Sequence, residues 1–283
     1  QLHRFTRSKF GSFLFFAILI SGGLFSVLPL VYCITTSFKP LDELLIFPPT
    51  LFTVKRPTIA NYTAIPDLLS GLSVPITRYA FNSIFVSIIG TFLSVIISAM
   101  AAFVLSKTEM KFNKLIFTVV QFSLLFNAYT LSVPQYIVYS KIGIINTYLA
   151  YIVPAAASSM GVFLMKQYMD GYVPYALIEA AHIDGAGWIG IFTRIVLPIV
   201  KPCVLTLVMF SFLGIWNSVP SGTIFSESLK TLPTVMSTIA AGGLARSGSS
   251  MATSVILMIF PIAVYLISQG SIKETMGSAG IKG

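Results

Sequence analysis

The sequence predicts an all-α protein that crosses a membrane several times. Of its 283 residues, 55% are hydrophobic and only 10% are charged, whereas a soluble domain carries about 25% charged residues. The mean hydropathy is +0.88. Apolar runs of roughly 20 residues, the length that a helix needs to cross a bilayer, recur along the chain. We therefore expect residues 1–283 to form a single transmembrane domain, with no soluble domain of useful size.

Six apolar stretches are long enough to be spanning helices. They lie at about 12–37, 80–106, 114–137, 147–166, 195–217 and 251–270. The third is interrupted by Gln121, Asn127 and Pro134. The first follows a basic start, as a signal peptide would, but it is longer than such a segment and no A-x-A-type cleavage site follows it. We interpret it as a retained helix, and six spans place both chain ends on the same side.

The distribution of basic residues predicts the orientation of the chain. Cytoplasmic loops of membrane proteins carry an excess of Lys and Arg. With the N-terminus inside, 11 of these residues lie in cytoplasmic segments and 7 lie outside, and the cluster KTEMKFNK at 107–114 is the clearest inside signal. This orientation places residues 38–79 and 218–250 outside the cell. It makes residues 167–194 the largest cytoplasmic loop.

Small residues recur every four positions in the second predicted span, at Gly90, Ser94, Ser98 and Ala102. This spacing places them on one face of a helix, where another helix can approach closely. We expect tight packing of other spans against this face.

Several kinds of chemistry are missing from the sequence. It contains no G-x-x-x-x-G-K-[ST] phosphate-binding loop, no H-E-x-x-H and no G-x-S-x-G. Cys33 and Cys203 are far apart, without metal-ligand spacing. The 18 basic residues outnumber the 9 acidic ones, but no basic cluster interleaved with aromatic residues indicates nucleic-acid binding. We expect no catalytic residue, no metal site and no cofactor on this chain.

The polar groups inside the predicted spans are neutral. Ion-coupled carriers usually hold Asp, Glu, Lys or His inside their spanning helices, and these spans contain almost none. The interior polar residues are instead Gln121, Asn127 and Asn217. They indicate either hydrogen bonds between helices or a pathway for a neutral, hydroxyl-rich solute. A chain without an ion relay or a nucleotide site must take its driving force from a partner.

The stretch EAAHIDGAG at 179–187 interrupts the apolar sequence in the cytoplasmic loop. Acid–base catalysis would need paired carboxylates in a water-excluding cleft, whereas Glu179 and Asp184 lie five positions apart on an exposed loop. Pro174 suits the start of a helix, and YALIEAAHI can continue it. Gly185 and Gly187 supply the open or left-handed backbone that ends a helix.

The alanines of this stretch predict a docking surface. Ala180 and Ala181 expose little side chain, so the surface of another protein can come close to the helix backbone. Glu179 beside them can anchor that partner by a salt bridge or a hydrogen bond. We expect a short rigid helix that receives a partner protein.

These residues resemble the EAA signature of ABC-importer permeases. Glu179, Ala180 and Ala181 are followed at the signature's spacing by Gly185, Ile195, Leu197 and Pro198, and DGAG resembles the form usual in the carbohydrate-uptake branch. Further similarity to that branch lies in TSFKP at 36–40, FNSI at 81–84, and Trp216 with Asn217. The ending GSAGIKG at 277–283 resembles that of the maltose-type second permease subunit.

The resemblance implies a type I ABC importer fold, with six transmembrane helices and a cytoplasmic coupling helix. It implies a set of residues that contact an ATPase: Pro174, Glu179, Ala180, Ala181, Asp184, Gly185, Ala186, Leu197 and Pro198. The C-terminal residues Gly280, Lys282 and Gly283 would also reach the ATPases, as in the maltose-type subunit. His182 stands where the family frequently has Arg or Lys.

The same resemblance implies the partners and the location. The partners would be a second homologous permease subunit, two ATPase subunits that bind ATP and Mg, and an extracytoplasmic solute-binding protein that meets residues 218–250. The chain would lie in the bacterial cytoplasmic (inner) membrane, with both termini in the cytoplasm, and would move a carbohydrate such as an oligosaccharide. The alternative is a stand-alone secondary carrier or channel for a small polar solute, against which the signature and the missing interior charges argue.

Overall fold

The structure, a computed structural model, describes residues 9–48, 50–71, 74–126, 128–220 and 222–279. The chain is 76% helical, and no strand occurs within these ranges. The all-α prediction is confirmed. The α-helices are α1 (Lys9–Ser37), α2 (Leu41–Leu44), α3 (Ala60–Leu68), α4 (Ile76–Lys107), α5 (Asn113–Ser123), α6 (Ala128–Lys141), α7 (Leu149–Ala156), α8 (Ser159–Tyr172), α9 (Tyr175–Ile183), α10 (Trp188–Ile191), α11 (Leu197–Ile199), α12 (Lys201–Trp216), α13 (Leu232–Ala240) and α14 (Ser247–Ala279).

Within the described ranges, four helical stretches are long and apolar enough to cross a membrane. They are Gly11–Ser37, Ile76–Lys107, Leu149–Tyr172 and Leu244–Gln269, and they contain or closely match the predicted spans at 12–37, 80–106, 147–166 and 251–270. The fifth predicted span belongs to a pair of helical segments, Trp188–Ile199 and Lys201–Trp216, that bend by 83° relative to each other. Taken as one span, this pair raises the number of candidates to five.

The third predicted span, 114–137, is not one helix. The described residues form two shorter helices there, α5 and α6, and neither reaches the 18 residues that a candidate span requires. Residues 124–126 form a turn between them. Six continuous spans are therefore not observed among the described residues.

The chain forms two compact units, residues 1–71 with 236–258, and residues 72–235 with 259–283. In the first unit, the segment that follows α1 is folded back onto the end of that helix. The Asn61 side-chain amide donates to the carbonyls of Ser37 and Lys39, each at 2.8 Å, and the hydroxyls of Tyr62 and Ser37 lie 2.8 Å apart. The carboxylate of Glu43 accepts hydrogen bonds from two backbone N–H groups of the same segment. These bonds fasten α3 to the end of α1.

The second unit is built around α4, which packs against α7, α8 and α12. The predicted small-residue face of α4 is the contact surface. A β-carbon at Gly90 would lie 2.9 Å from Ile215 Cδ1, and one at Gly161 of α8 would overlap Ser98. These close approaches confirm the sequence prediction of tight packing on this face, because only small side chains permit such helix separations.

One apolar core connects α4 and α8 to the loop helix α9. It includes Ala102 and Phe103 of α4, Met169 of α8, and Ile178 and Ala181 of α9. Between α10 and α11 the helix widens into a π-helical turn at Phe192–Val196, a feature that is frequent at functional sites. The second unit therefore places α9 and the bent helix pair against the same core.

Candidate functional site

A cavity of about 630 Å³ lies within the second unit. Its wall is formed by residues of α4, α6, α7, α8 and α12 and by the segment that follows α12. None of the described residues that line it carries a formal charge. The polar lining residues are Ser94, Ser132, Gln135, Tyr136, Tyr139, Tyr151, Ser158, Ser211, Ser218 and Thr223.

Hydroxyl groups and aromatic rings dominate the polar part of this wall. The hydroxyl oxygens of Ser94 and Ser211 lie 3.1 Å apart, the side chain of Gln135 donates to the Tyr139 hydroxyl, and Tyr151 donates to a backbone carbonyl at 3.3 Å. A hydroxyl group both donates and accepts hydrogen bonds, while the ring of a tyrosine offers an apolar face. The wall is therefore suited to an uncharged solute that has both hydroxyl groups and apolar faces.

The polar residues that the sequence predicted for the pathway do not line this cavity. Gln121 is exposed on α5. Asn217 is also exposed, and its amide donates to the carbonyl of Leu213 in its own helix at 2.9 Å. Asn127 lies outside the described residues.

The polar residues of α6 that line the cavity were not predicted from the sequence. Ser132, Tyr136 and Tyr139 lie at positions i, i+4 and i+7, so they share one face of that helix. A polar face within an apolar stretch was the signal that could have found them.

The loop helix predicted at YALIEAAHI is present as α9, from Tyr175 to Ile183. Pro174 caps its start with φ −64° and ψ 142°. Gly185 ends it in the left-handed region with φ +79°, and the backbone N–H groups of Gly185 and Ala186 return to the carbonyls of His182 and Ala181 at 3.0 and 2.9 Å. Gly187 is extended rather than left-handed. Local chemistry thus defines this helix at both ends.

The predicted docking residues on and next to α9 differ in their exposure to solvent. Glu179, Ala180, Asp184 and Gly185 are exposed, but Ala181 is only 7% exposed and belongs to the apolar core. Ala181 therefore does not offer the open surface that the sequence predicted. Burial of every third or fourth residue holds an amphipathic helix in place, and Ala181 does this together with Ile178.

The remaining predicted docking residues lie away from α9 itself or outside the described ranges. Ala186 is half-buried against the core that holds Ala181, and Leu197 packs there as well. Pro198 is exposed on α11. Gly280, Lys282 and Gly283 lie outside the described residues.

Large apolar side chains are exposed around α9. Ile183 is 86% exposed and Ile189 is 81% exposed, and Leu177 is also exposed. The ring of Trp188 packs edge-on against His182, with the ring centroids 4.4 Å apart. Contiguous exposed apolar groups mark interaction surfaces in proteins. These isoleucines were not predicted from the sequence, although apolar residues in a loop predicted to be cytoplasmic were a readable signal.

Several known proteins are similar to this chain. Protein LplC of Bacillus subtilis is 34% identical over 207 residues, which cover 71% of this chain and 65% of LplC. The sulfoquinovosyl glycerol transport system permease protein SmoH of Agrobacterium fabrum is 29% identical over 273 residues, which cover 94% of this chain and 92% of SmoH. The inner membrane ABC transporter permease protein YcjP of Escherichia coli is 27% identical over 286 residues, with 98% of each chain covered. No protein-family model matches the chain.

A solved structure has the same fold. It is the crystal structure of a bacterial ABC transporter involved in the import of the acidic polysaccharide alginate. The similarity has a TM-score of 0.72 and covers 93% of this chain and 98% of the chain in that structure. The sequence identity is 19%, so this likeness concerns the fold.

Proposed function

Because this chain belongs to the permease subunits of sugar-importing ABC transporters, we propose that it forms half of the translocation pathway for a neutral carbohydrate. The observation that supports this proposal is the cavity in the second unit. Its lining combines hydroxyl groups with the rings of Tyr136, Tyr139 and Tyr151, and the part of the lining that the structure describes has no charged side chain. A small set of placed polar groups on a mostly apolar wall is the usual composition of a ligand pocket.

The absence of charge from the lining favours neutral sugars over acidic ones. A buried carboxylate or sulfonate needs a cationic partner, because an unpaired charge is costly to remove from water. The lining residues that the structure describes in this chain supply no such partner. An oligosaccharide without acidic groups fits this wall.

In this proposal the chain is a transport subunit and not an enzyme. It has no phosphate-binding loop, so ATP and Mg belong to two partner ATPase subunits. A second homologous permease subunit would complete the pathway, and a solute-binding protein would meet residues 218–250 outside. The stand-alone carrier or channel is not favoured, since SmoH is a transport system permease protein and YcjP an ABC transporter permease protein.

We place the chain in the bacterial cytoplasmic membrane with both termini in the cytoplasm, in a single permease domain. Crossing the membrane six times would require α5 and α6 to act together as one broken span. Residues 167–194 would then be cytoplasmic, and α9 would be the coupling helix that enters a cleft of an ATPase. Its exposed residues Glu179, Ala180 and Ile183 and the turn at Gly185 would face the ATPase. Gly280, Lys282 and Gly283 would reach the ATPases beside it.

The test uses the complete complex in proteoliposomes, with the second permease, the ATPases and the binding protein. Neutral oligosaccharides of two to four units are compared with oligogalacturonates of the same lengths. We expect ATP hydrolysis and uptake to be stimulated by a neutral sugar. Uptake by this chain in vesicles that lack the ATPases would contradict the proposed dependence on partners. Stimulation by the acidic series alone would contradict the neutral substrate.

A matched pair of variants tests whether the cavity is the pathway. Tyr136→Ala removes an aromatic ring from the cavity lining, and Tyr265→Ala removes an exposed tyrosine that does not line the cavity. We expect the first variant to raise the sugar concentration needed for half-maximal uptake, and the second to leave it unchanged. Equal effects of the two variants would show that the cavity is not the pathway.

A further inference from the structure

The last residue of α4, Lys107, is a buried cation. It is 4% exposed, although it belongs to the basic segment at 107–114 that we predicted to lie on the cytoplasmic side of the membrane. Burial of a lysine is costly unless the ammonium group finds compensating partners. The predicted orientation of the chain accounts for a lysine on the cytoplasmic side but not for its burial.

The partners of the Lys107 ammonium lie where α8 ends and α9 begins. Its Nζ donates a hydrogen bond to the carbonyl of Val173 at 2.7 Å. The same Nζ lies 4.7 Å from the centre of the Tyr175 ring, within the range of a cation–π interaction. Val173 is the residue that follows α8, and Tyr175 is the first residue of α9. One side chain of α4 thus holds the connection between two other helices.

A second set of hydrogen bonds joins the same three helices. The Tyr175 hydroxyl donates to the carbonyl of Ser106 at 2.6 Å. The Ser106 hydroxyl donates to the carboxylate of Asp170 on α8, and Asp170 also pairs with Lys166 at 2.6 Å. We call Ser106, Lys107, Asp170, Val173 and Tyr175 the Lys107 cluster.

Stability alone does not account for this cluster. A buried ionic group can often be replaced by an apolar side chain of similar volume without loss of stability. What the cluster adds is geometry, because the ammonium, the carbonyl and the ring fix the start of α9 relative to the end of α4. On its buried side, α9 packs through Ile178 and Ala181 into the apolar core that it shares with α4 and α8.

The cluster also lies on a direct route to the cavity. Ser94, which lines the cavity, is on α4 thirteen positions before Lys107, a distance of about 20 Å along a helix. Met160 of α8 lines the cavity as well. A displacement of α9 that is transmitted rigidly to α4 and α8 therefore reaches the cavity wall through residues of both helices.

We propose that Lys107 is a positioning residue that transmits the displacement of α9 to α4 and α8, so that movement of α9 changes the exposure of the cavity. The inference rests on the proposed function, in which an ATPase moves α9. The Lys107 cluster carries the polar part of this connection, and the core around Ala181 carries the apolar part. Without the cluster, the ATPases turn over while the cavity no longer follows them.

The experiment measures ATP hydrolysis by the ATPases and the accessibility of the cavity in the complete complex. Cys33 and Cys203 are replaced by Ser, and Ser211→Cys introduces a reporter in the cavity wall. The rate at which a membrane-impermeant maleimide labels the reporter is compared between the nucleotide-free complex and the complex trapped with ATP and vanadate. ATP hydrolysis is measured on the same preparations. This readout needs no knowledge of the transported sugar.

With Lys107 in place, we expect the two states to differ in labelling rate by roughly tenfold, within the usual range for coupling between two sites. Lys107→Met is expected to bring the ratio close to one while ATP hydrolysis continues. Lys107→Arg, which keeps the cation, is expected to restore most of the ratio. The control Lys111→Met, at an exposed position of the same basic segment, is expected to change nothing.

Tyr175→Phe provides a milder test if Lys107→Met does not assemble. It keeps the ring under the ammonium group but removes the hydrogen bond to Ser106, so an intermediate ratio is expected. An unchanged ratio in Lys107→Met, or in Tyr175→Phe where only that variant assembles, overturns the role of the cluster and leaves the proposed function standing. A complex with Lys107 in place whose labelling does not respond to nucleotide overturns the proposed function itself, and the inference with it.

Discussion

The hydroxyl oxygens of Ser94 and Ser211 lie 3.1 Å apart, and their hydrogen bond joins α4 to α12 in the wall of the cavity. Both side chains are small, and this is the reason that two long helices come close enough for the bond to form. Small side chains also occupy the rest of this face of α4, which includes Gly90 and Ser98. Close packing and the shape of the cavity therefore depend on the same residues.

The contact between α8 and α4 predicts the effect of adding a side chain at Gly161. A β-carbon there overlaps Ser98, so Gly161→Leu forces the two helices apart and is expected to cost about 1–3 kcal/mol. The measurement is the midpoint of thermal unfolding in detergent. Gly171→Leu is the control, because it lies in the same helix and its β-carbon meets open space. A control that lowers the midpoint as much as Gly161→Leu would refute the packing explanation.

Asn82 holds the segment before α13 in place. It is 0% exposed, its amide donates to the carbonyls of Ser228 and Lys230 at 2.8 and 2.9 Å, and its oxygen accepts from the Tyr148 hydroxyl at 2.7 Å. Asn82→Ala leaves these partners unsatisfied, at about 1–3 kcal/mol for each buried group. We expect faster hydrogen exchange of the backbone amides at residues 227–232.

The control for that experiment is Asn217→Ala. This asparagine is exposed and bonds only within its own helix among the contacts found, so exchange at residues 227–232 is expected to stay the same. Faster exchange in the control, or none in Asn82→Ala, would contradict the anchoring role.

A substitution at Gly185 is expected to separate membrane insertion from the coupling of ATP hydrolysis to sugar uptake. Its φ of +79° is adopted readily by Gly, and by Asn at lower cost than by other residues, while no described neighbour lies within 4 Å of its β-carbon position. We expect Gly185→Trp to insert into the membrane but to uncouple ATP hydrolysis from sugar uptake, because the indole occupies the surface that would face the ATPase. Gly185→Asn is expected to retain most of the coupling. Normal uptake by Gly185→Trp would remove this turn from the mechanism.

Ile183, as part of the exposed apolar surface, is expected to contribute to binding of the ATPases. It is largely exposed at the end of α9, and burial of such a residue in an interface can contribute about 2 kcal/mol, roughly 30-fold in affinity. Ile183→Ser is expected to reduce the amount of ATPase that copurifies with the permease. Leu244→Ser, at an exposed residue far along the chain, is the comparison. If both variants retain the ATPases equally, Ile183 is not part of the interface.

Local sequence determined the loop helix and its ends. Pro174, the run YALIEAAHI and Gly185 act through backbone preferences that depend on neighbouring residues only, and the structure has the helix where the sequence predicts it. Hydropathy likewise identified the membrane helices, because burial in lipid depends on the composition of a single segment. It failed at 114–137, where a sufficient apolar content does not ensure one continuous helix.

The sequence by itself therefore determined the all-helical membrane fold, the signature of the family and the position of α9. Only the tertiary structure decided which side chains line the cavity, that Ala181 faces the core, and that the charge of Lys107 is buried. Each of these depends on distances between helices that are far apart in sequence. Hydropathy and periodicity describe one helix at a time, whereas a cavity or a buried contact is made by several helices together.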